Sequence, residues 1–300
     1  MIALALCAVL ASAQSGTLVL CGESFELPEA LARELAGSAP HLVLDLDGAA
    51  PDPLAHGNSQ ALRPDLAGDW SAAREAALLP DLARAGAVVV QARTWLSCWQ
   101  HFQYEQKDSR LEQELRAALR AGHPLVATGA AAAYCAAWSI VTREEIHKTA
   151  RNPRRAEPEL VVTGLEFARA WMVDTSTQAP AGAERLLRES QRFGNARALY
   201  LQGPVAWIVR AADGPVAEVV GSGCACVFDL ARARRSREEL RDGRLLLLHA
   251  GDQVRLGKEL EPLSSAAPAD AALEILHLSV RAQRLPGSTV AYSFDWLAAR

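Results

Sequence analysis

This sequence of 300 residues lacks the features of nucleic-acid-binding, membrane-spanning and fibrous proteins. Its 31 basic residues are outnumbered by 35 acidic ones, and a net charge of −4 predicts no nucleic-acid partner. No apolar run approaches the roughly 18–20 residues of a membrane span, so we expect no integral membrane segment. Half of the residues are hydrophobic and 22% are charged, which excludes a disordered chain and favours a globular one.

Cysteine and histidine are sparse, and neither shows the spacing of a metal site. Five cysteines remain when Cys7 is set aside with the apolar N-terminal segment, and an odd number does not indicate a disulfide framework. Cys224 and Cys226 share one face of a strand-like stretch, which favours packing inside a sheet over metal binding. The sequence therefore predicts no metal and no other cofactor.

The N-terminal residues have the dimensions of an export signal. The apolar run Ile2–Leu10 is followed by Ala11-Ser12-Ala13, a small-x-small cleavage pattern. We therefore expect residues 1–13 to be a signal peptide and residues 14–300 to form a single periplasmic or extracellular domain. The run has no Lys or Arg before it, so the alternative is an apolar lead-in to the first strand of a cytoplasmic protein.

Short apolar strands alternate with amphipathic helices through the first half of the chain. The strand-like runs are Thr17–Cys21, His41–Asp45, Ala87–Gln91 and Pro124–Ala127. Strands that are apolar throughout, separated by helices, predict an α/β fold with a mostly parallel sheet and helices on both faces. From Ala198 onward short strands and turns dominate, which predicts antiparallel strands added in the C-terminal third.

The segment 125–133, Leu-Val-Ala-Thr-Gly-Ala-Ala-Ala-Ala, is a strand that enters a helix through very small residues. Small neighbours are what a strained nucleophile turn requires. The segment resembles the Gly-Thr-Ser-Ala-Gly-Ala motif of cyanophycinases, serine peptidases with a class I glutamine-amidotransferase-like fold. Thr128, Ala130 and Ala132 match that motif, whereas its serine falls on Gly129, which has no side chain.

Segments further along the chain resemble the same family in the same order. Gly164, Asp174 and Arg185 match its Gly-Leu-Gly, Asp-x-His-Phe and arginine motifs, and the histidine of the family falls on Ser176. A serine hydrolase needs both a nucleophile and a base, and Ser176 cannot accept a proton near neutral pH as an imidazole does. The resemblance therefore implies a fold retained without its serine-peptidase mechanism.

Three functions follow as alternatives from this resemblance. The first is an exported, non-catalytic pseudo-peptidase that binds a peptide or amino-acid-like ligand at Thr128, Ala130, Asp174 and Arg185. The resemblance also implies a homodimer. The second is an active peptidase or amidase with a relocated pair, Cys98 and His101, which would lie one turn apart on a helix. The third is a structural or interaction protein whose crevice is filled by the tryptophans near residues 95–99.

Two further acidic residues, Asp45 and Asp47, follow the second predicted strand. In α/β proteins the carboxyl ends of parallel strands are where ligands bind. These carboxylates would suit a cation or an amine there, and the alternative is the solvated start of a loop.

Overall fold

A computed structural model describes residues 16–22, 25–48, 51–56, 59–66, 70–102, 109–141, 160–175, 181–211, 214–236, 239–264, 280–286, 288 and 290–297. The predicted signal peptide, residues 1–13, and Ser176 lie outside these described residues. Within the described ranges no helix is both long and apolar enough to cross a membrane.

The described part of the chain contains six helices, which lie in the first two thirds of the sequence. They are α1 Glu29–Ala36, α2 Ala72–Arg84, α3 Trp95–Phe102, α4 Arg110–Arg120, α5 Ala130–Tyr134 and α6 Ala181–Arg192. Serine hydroxyls cap two of them, because Ser71 accepts a hydrogen bond from the Arg74 N–H and Ser109 accepts one from the Glu112 N–H. Such caps satisfy N–H groups that the first helical turn leaves without partners.

Eighteen strands make up the rest of the regular structure in the described ranges. They are β1 Thr17–Cys21, β2 His41–Asp45, β3 Ala61–Leu62, β4 Ala87–Ala92, β5 Leu125–Gly129, β6 Ala136–Val141, β7 Leu160–Thr163, β8 Ala168–Asp174, β9 Arg197–Gln202, β10 Val205–Arg210, β11 Val216–Gly221, β12 Cys224–Asp229, β13 Arg234–Arg235, β14 Glu239–Leu248, β15 Gln253–Leu256, β16 Leu260–Ser264, β17 Val280–Arg284 and β18 Ala291–Leu297.

The first of two sheets has the order β16-β15-β11-β10-β1-β5-β4-β2-β3. The strands from β1 to β3 along this order are parallel, and β10, β11, β15 and β16 continue the sheet as antiparallel strands. Side chains alternate between its faces, so that Leu18 and Leu20 face α2 and α4 while Val19 and Cys21 face α1. Because both faces are covered, the parallel strands β1, β2, β4 and β5 are apolar except near their ends.

The second sheet has the order β17-β18-β14-β12-β9-β8-β6-β7, with β13 paired to β14. One of its faces contributes residues such as Leu199, Val227 and Leu246 to the same buried cluster as Leu18 and Leu20 of the first sheet. Its other face packs against α6 through a separate apolar cluster that includes Leu186 and Leu187. The two sheets are thus packed together, with α1 and α6 on the outside.

The predicted α/β class is confirmed, with a mostly parallel N-terminal sheet, helices on both of its faces and antiparallel strands in the C-terminal part. The structure adds one finding, that the C-terminal strands divide between two sheets. β10 and β11 extend the first sheet, whereas β12, β14 and β18 build the second. Local sequence pattern predicts a strand but not its pairing partner, because the pairing is decided by contacts between distant segments.

Candidate functional site

The turn between β5 and α5 has the backbone of a nucleophile elbow but no side chain at its apex. Gly129 ends the strand with φ 61° and ψ −132°, and the helix begins at the next residue. A Cβ atom placed on Gly129 would lie 2.5 Å from the carbonyl oxygen of Ala92, its neighbour in register on β4. The left-handed φ favours glycine, and the lack of space for a Cβ atom excludes a larger residue.

The end of β8 lies at this turn. The Thr175 hydroxyl donates a hydrogen bond of 2.9 Å to the carbonyl oxygen of Gly129, and Thr175 is buried. Parallel pairing of β6 with β8 and of β8 with β9 sets the position of this strand end. Thr175 is the last described residue before Ser176, the position at which the resemblance places the histidine of the cyanophycinase motif. The hydrogen bond of Thr175 thus brings this segment next to the turn at Gly129.

An open cleft of about 530 Å³ lies at the carboxyl ends of β1, β2, β4 and β5. This is the edge at which ligands bind in parallel α/β sheets, and the volume is that of a small-molecule site. Its lining among the described residues consists of Gly22, Phe25, Glu26, Asp45, Asp47, Pro51, Pro53, Gln91, Ala92, Arg93, Thr128, Gly129 and Ala130. Three carboxylates face one guanidinium in this set, so the lining is predominantly acidic.

A row of polar side chains crosses three neighbouring strands in the cleft. Asp45 of β2 is in register with Gln91 of β4, and Gln91 is in register with Thr128 of β5. Adjacent strands are about 4.8 Å apart, so the three side chains form a line on one face of the sheet. Val43, Val89 and Val126 precede them on that face and are buried against α1. The row begins where this apolar packing ends.

Gln91 is the most buried member of this row, with 2% of its surface exposed. Its Nε2 donates a hydrogen bond of 2.6 Å to the Pro51 carbonyl oxygen, which fixes the orientation of the amide. Its Oε1 is buried and has no hydrogen-bond partner among the described residues. An unsatisfied buried acceptor costs about 1–3 kcal/mol of free energy, so a ligand that donates a hydrogen bond to this oxygen would recover that free energy.

The two acidic residues that follow β2 differ in their surroundings. The Asp47 carboxylate accepts hydrogen bonds from the Arg93 N–H and the Ser97 hydroxyl, and it thereby ties the loop after β2 to the start of α3. Asp45 is half-buried, and its Oδ1 accepts a bond of 3.0 Å from the Gly48 N–H. Both carboxylates line the cleft, as expected for acidic residues at a strand end.

The four ligand-binding residues predicted from the resemblance fall into two pairs in the structure. Thr128 and Ala130 flank Gly129 and line the cleft. Asp174 and Arg185 instead contact each other, with Arg185 Nη2 and Nε at 2.5 Å and 3.2 Å from Asp174 Oδ2. Both are buried, and neither is among the described residues that line the cleft. Their ion pair joins the end of β8 to α6.

Cys98 and His101 lie on α3, which the structure confirms as a helix. Both side chains are buried, and neither is among the described lining of the cleft. The His101 Nδ1 lies 2.7 Å from the Ser97 carbonyl oxygen, and its ring packs on Trp70. Burial lowers the pKa of His101 despite opposing effects of the Ser97 and Leu66 carbonyls and the Asp47 charge. Burial therefore favours the neutral form of the ring.

The tryptophans of α3 leave the cleft open. Trp95 and Trp99 stack on each other with ring centroids 5.9 Å apart, and neither is among the described lining residues. These side chains therefore do not fill the crevice. The alternative of a structural or interaction protein had predicted that they would.

A Ser–His–Asp line occurs elsewhere, at the amino end of β2. His41 Nε2 lies 2.8 Å from Asp52 Oδ2, and Nδ1 lies 2.7 Å from Ser59 Oγ. Asp52 also accepts the Leu54 N–H and pairs with Arg63. His41 is 1% exposed and lies at the strand end opposite the cleft. Its hydrogen bonds therefore anchor the loop that carries Pro51 and Pro53, which form one wall of the cleft.

The donor set of the described residues does not form a metal site. No group of three or more His, Cys, Asp or Glu side chains within those ranges is placed to hold an ion. The sulfur atoms of Cys224 and Cys226 are 3.7 Å apart, and both residues are buried in the apolar cluster beneath α6.

Comparisons with known proteins support the fold and no finer assignment. No protein-family model and no curated protein matches the chain. Among solved structures, the chain is similar to the crystal structure of a peptidase from an acI-B1 Actinobacterium, with a TM-score of 0.52. The similarity covers 82% of this chain and 99% of that chain at 11% sequence identity, so it shows a peptidase-like fold alone.

Sequence reasoning did not single out Gln91 or Arg93 for the cleft. Gln91 is the next-to-last residue of an otherwise apolar strand, Ala-Val-Val-Val-Gln-Ala, and a polar residue there indicates where the apolar packing stops. That signal gives the position of the side chain along the strand. It does not give the contact with Pro51, which lies 40 residues earlier in the sequence.

Proposed function

We propose that this chain is a non-catalytic relative of cyanophycinase-like serine peptidases that binds a peptide or amino-acid-like ligand in the cleft. The observation that carries the proposal is the elbow at Gly129. Its backbone has the strained turn of a nucleophile site, yet a side chain at its apex would collide with the Ala92 carbonyl oxygen at 2.5 Å. An elbow without a nucleophile cannot begin acyl transfer through a covalent intermediate.

The cleft itself supports ligand binding. It is open at about 530 Å³, it lies at the carboxyl ends of parallel strands, and it combines apolar walls with a few polar groups. Phe25, Pro51 and Pro53 provide the apolar part, while Gln91 and Thr128 provide hydrogen-bonding groups. A peptide or amino-acid-like molecule has the size and mixed polarity that this lining suits.

The first experiment tests for the absence of catalysis. The purified full-length chain is incubated with β-Asp-Arg dipeptide and a panel of acidic peptides, beside a Gly129→Ser/Ser176→His double variant. We expect no hydrolysis by the wild type and none by the variant, because the new side chain at position 129 has no room. Turnover by the wild type that is abolished in Cys98→Ala would overturn the proposal in favour of a hydrolase with a relocated nucleophile.

The second experiment tests for binding. Calorimetry and thermal shift with amino acids and dipeptides are compared for the wild type, Ala130→Phe, which fills the cleft, and Ala117→Phe, which adds the same ring on the exposed side of α4. We expect saturable binding that Ala130→Phe abolishes and Ala117→Phe preserves. Binding that survives Ala130→Phe would place the ligand elsewhere and refute the role of the cleft.

Export through residues 1–13 and pairing of two copies are part of the same proposal. The first rests on the apolar run and its cleavage pattern, and the second rests on the resemblance. Intact mass of the protein from cell fractions tests the first, with a cleaved chain outside the cytoplasm expected. Light scattering tests the second, with twice the mass of the chain expected.

A further inference from the structure

We infer that the ligand of the cleft carries an alkylammonium group, which is recognised by the row Asp45, Gln91 and Thr128. This inference rests on the proposed function, since it names the chemical class of the molecule that the same cleft binds. Three independent features of the described residues support it: the hydrogen-bond requirement of Gln91, the charge of the lining, and the register that brings the row together.

The hydrogen-bond requirement comes from the Gln91 amide. Because Nε2 donates to the Pro51 carbonyl oxygen, the amide cannot turn over without placing two acceptors against each other. Its Oε1 is thereby fixed as an acceptor, buried and without a partner, in a side chain that lines the cleft. The group that satisfies it must be a hydrogen-bond donor.

The charge of the lining selects among donors. Among the described lining residues, the carboxylates Glu26, Asp45 and Asp47 outnumber the single guanidinium of Arg93, so this lining attracts cations and repels anions. An ammonium group provides three donors and a positive charge on one compact atom. A neutral donor such as a hydroxyl satisfies Gln91 but gains nothing from the carboxylates.

The register brings the two requirements to one place. Asp45 and Gln91 are paired residues of adjacent strands, so their side chains lie about 5 Å apart on the same face. One ammonium nitrogen between them can donate to the amide oxygen and to the carboxylate together. Thr128, paired with Gln91 on its other side, offers a hydroxyl oxygen to a third N–H.

A metal ion is the rival cation at such a place, and the donor set does not favour it. The described residues contain no group of three or more His, Cys, Asp or Glu side chains arranged to hold one. In addition, Asp47 already accepts two hydrogen bonds that tie the loop after β2 to α3. An organic cation with its own N–H donors fits the row better than a bare ion that needs more oxygen ligands.

The test uses a series of ligands that differ in charge on one carbon chain. Binding of cadaverine, N-acetylcadaverine and N,N′-diacetylcadaverine to the full-length protein is measured by calorimetry at low ionic strength. We expect the diacetylated molecule to bind at least about tenfold more weakly than the monoacetylated one, since a charge-assisted hydrogen bond is lost. Raising the salt concentration should reduce the difference.

Two variants and a matched control assign the effect to the row. Asp45→Asn keeps the oxygen that accepts the Gly48 N–H and removes the charge, so the fold should be unchanged while cadaverine binding weakens about tenfold. Gln91→Met, which removes the amide oxygen from a side chain of similar size, should weaken it as well. Asp81→Asn removes a carboxylate on α2 outside the described cleft lining and should have no effect.

The outcomes separate the inference from the proposed function. Equal or tighter binding of the diacetylated molecule, or of acidic dipeptides, would overturn the ammonium inference while the ligand-binding function stands. A response to Mg²⁺ or Ca²⁺ alone that Asp45→Asn abolishes would replace the ammonium by a metal ion. If neither this series nor the amino-acid and peptide panel binds, the inference and the proposed function fail together.

Discussion

The carbonyl oxygen of Ala92 occupies the space that a side chain of residue 129 would need. The two residues are paired in register on β4 and β5, and a Cβ atom on Gly129 would lie 2.5 Å from that oxygen. The obstacle is the backbone of a central strand, which cannot turn aside as a flexible side chain does. In this structure there is thus no space for a side chain at position 129.

This contact predicts that Gly129→Ala destabilises the protein more than an equivalent substitution in open space. Gly37 offers the control, because its φ of 60° and ψ of −148° are nearly the same and a Cβ atom there meets nothing within 4 Å. Gly37→Ala should cost about 1–3 kcal/mol from backbone strain alone. Gly129→Ala should cost about 1–3 kcal/mol more, because strand β4 must move.

Urea unfolding of the two variants measures the difference. If Gly129→Ala and Gly37→Ala lower the free energy of unfolding equally, the Ala92 carbonyl group moves away from the new Cβ atom without an energetic penalty. In that case the elbow could accept a serine, and the steric argument for a non-catalytic site would be withdrawn.

The buried ion pair between Asp174 and Arg185 predicts a structural role for two residues that the resemblance had assigned to a ligand. Arg185→Met leaves a carboxylate buried beneath α6 and should cost about 3–5 kcal/mol in unfolding free energy. The double variant Asp174→Asn/Arg185→Met should recover part of this loss. Arg188→Met, which removes an exposed guanidinium on the same helix from its pair with the half-buried Glu184, should cost less than about 1 kcal/mol.

Binding of amino acids and dipeptides to these variants is then measured by calorimetry, at a temperature where each variant is folded. Ligand affinity should be the same as in the wild type, since neither residue is among the described lining of the cleft. A small change in stability together with a large loss of affinity would instead support the ligand-binding role implied by the resemblance.

Much of the fold could be predicted because its strands are recognisable from short apolar runs in the sequence. β1, β2, β4 and β5 are short, mainly apolar runs separated by helices, and this pattern is typical of a parallel sheet covered on both faces. The elbow was located by the small residues around Gly129, and its left-handed φ is a conformation that glycine adopts readily. These features depend on residues that are neighbours in the sequence.

The rest of the site depends on partners that are far apart in the sequence. The Gln91 amide is fixed by Pro51, and the Asp47 carboxylate is held by Arg93 and Ser97, across loops whose path has no periodicity. The division of the C-terminal strands between two sheets has the same cause. β11 and β12 follow each other closely in the chain but join different sheets, and neither strand carries a local signal of its partner.

The hydrogen bonds of Asp52 with His41 and Leu54, which anchor the loop beside the cleft, predict a loss of stability in acid. Burial acts to raise the pKa of Asp52, but hydrogen bonds from His41 and Leu54 and the charges of His41 and Arg63 outweigh it, so the pKa lies below its ordinary value of 3.8. A lowered carboxyl pKa contributes stability that is complete above the ordinary value and is lost as the pH falls through the folded-state pKa.

Unfolding of the wild type and Asp52→Asn from pH 7 to pH 3 tests this. The variant should be less stable by about 1–3 kcal/mol at pH 7, as expected for a buried charged hydrogen bond, and the difference should shrink below about pH 3.8. Asp81→Asn, which removes a more exposed carboxylate paired with Arg84, should show a smaller difference throughout. A difference for Asp52→Asn that does not change with pH would show that the ionised carboxylate is not what holds the loop.

The burial of the cysteines predicts that the folded protein is inert to thiol reagents at its described positions. Cys21, Cys98, Cys135, Cys224 and Cys226 are all buried. Desolvation raises the pKa of Cys21 to about 12 and also raises that of Cys135, while the hydrogen bond with Cys224 and burial raise that of Cys226. Since the thiolate is the reactive form, neither access nor ionisation favours reaction.

Iodoacetamide labelling at neutral pH, read by peptide mass spectrometry, should therefore leave these five residues unmodified until guanidinium chloride unfolds the chain. Cys98 is the informative position, because its pairing with His101 is the basis of the hydrolase alternative. Rapid labelling of Cys98 in the folded protein, with the other four protected, would indicate an accessible and ionised thiol on α3. The hydrolysis assay with Cys98→Ala would then decide between a reactive but idle thiol and a relocated nucleophile.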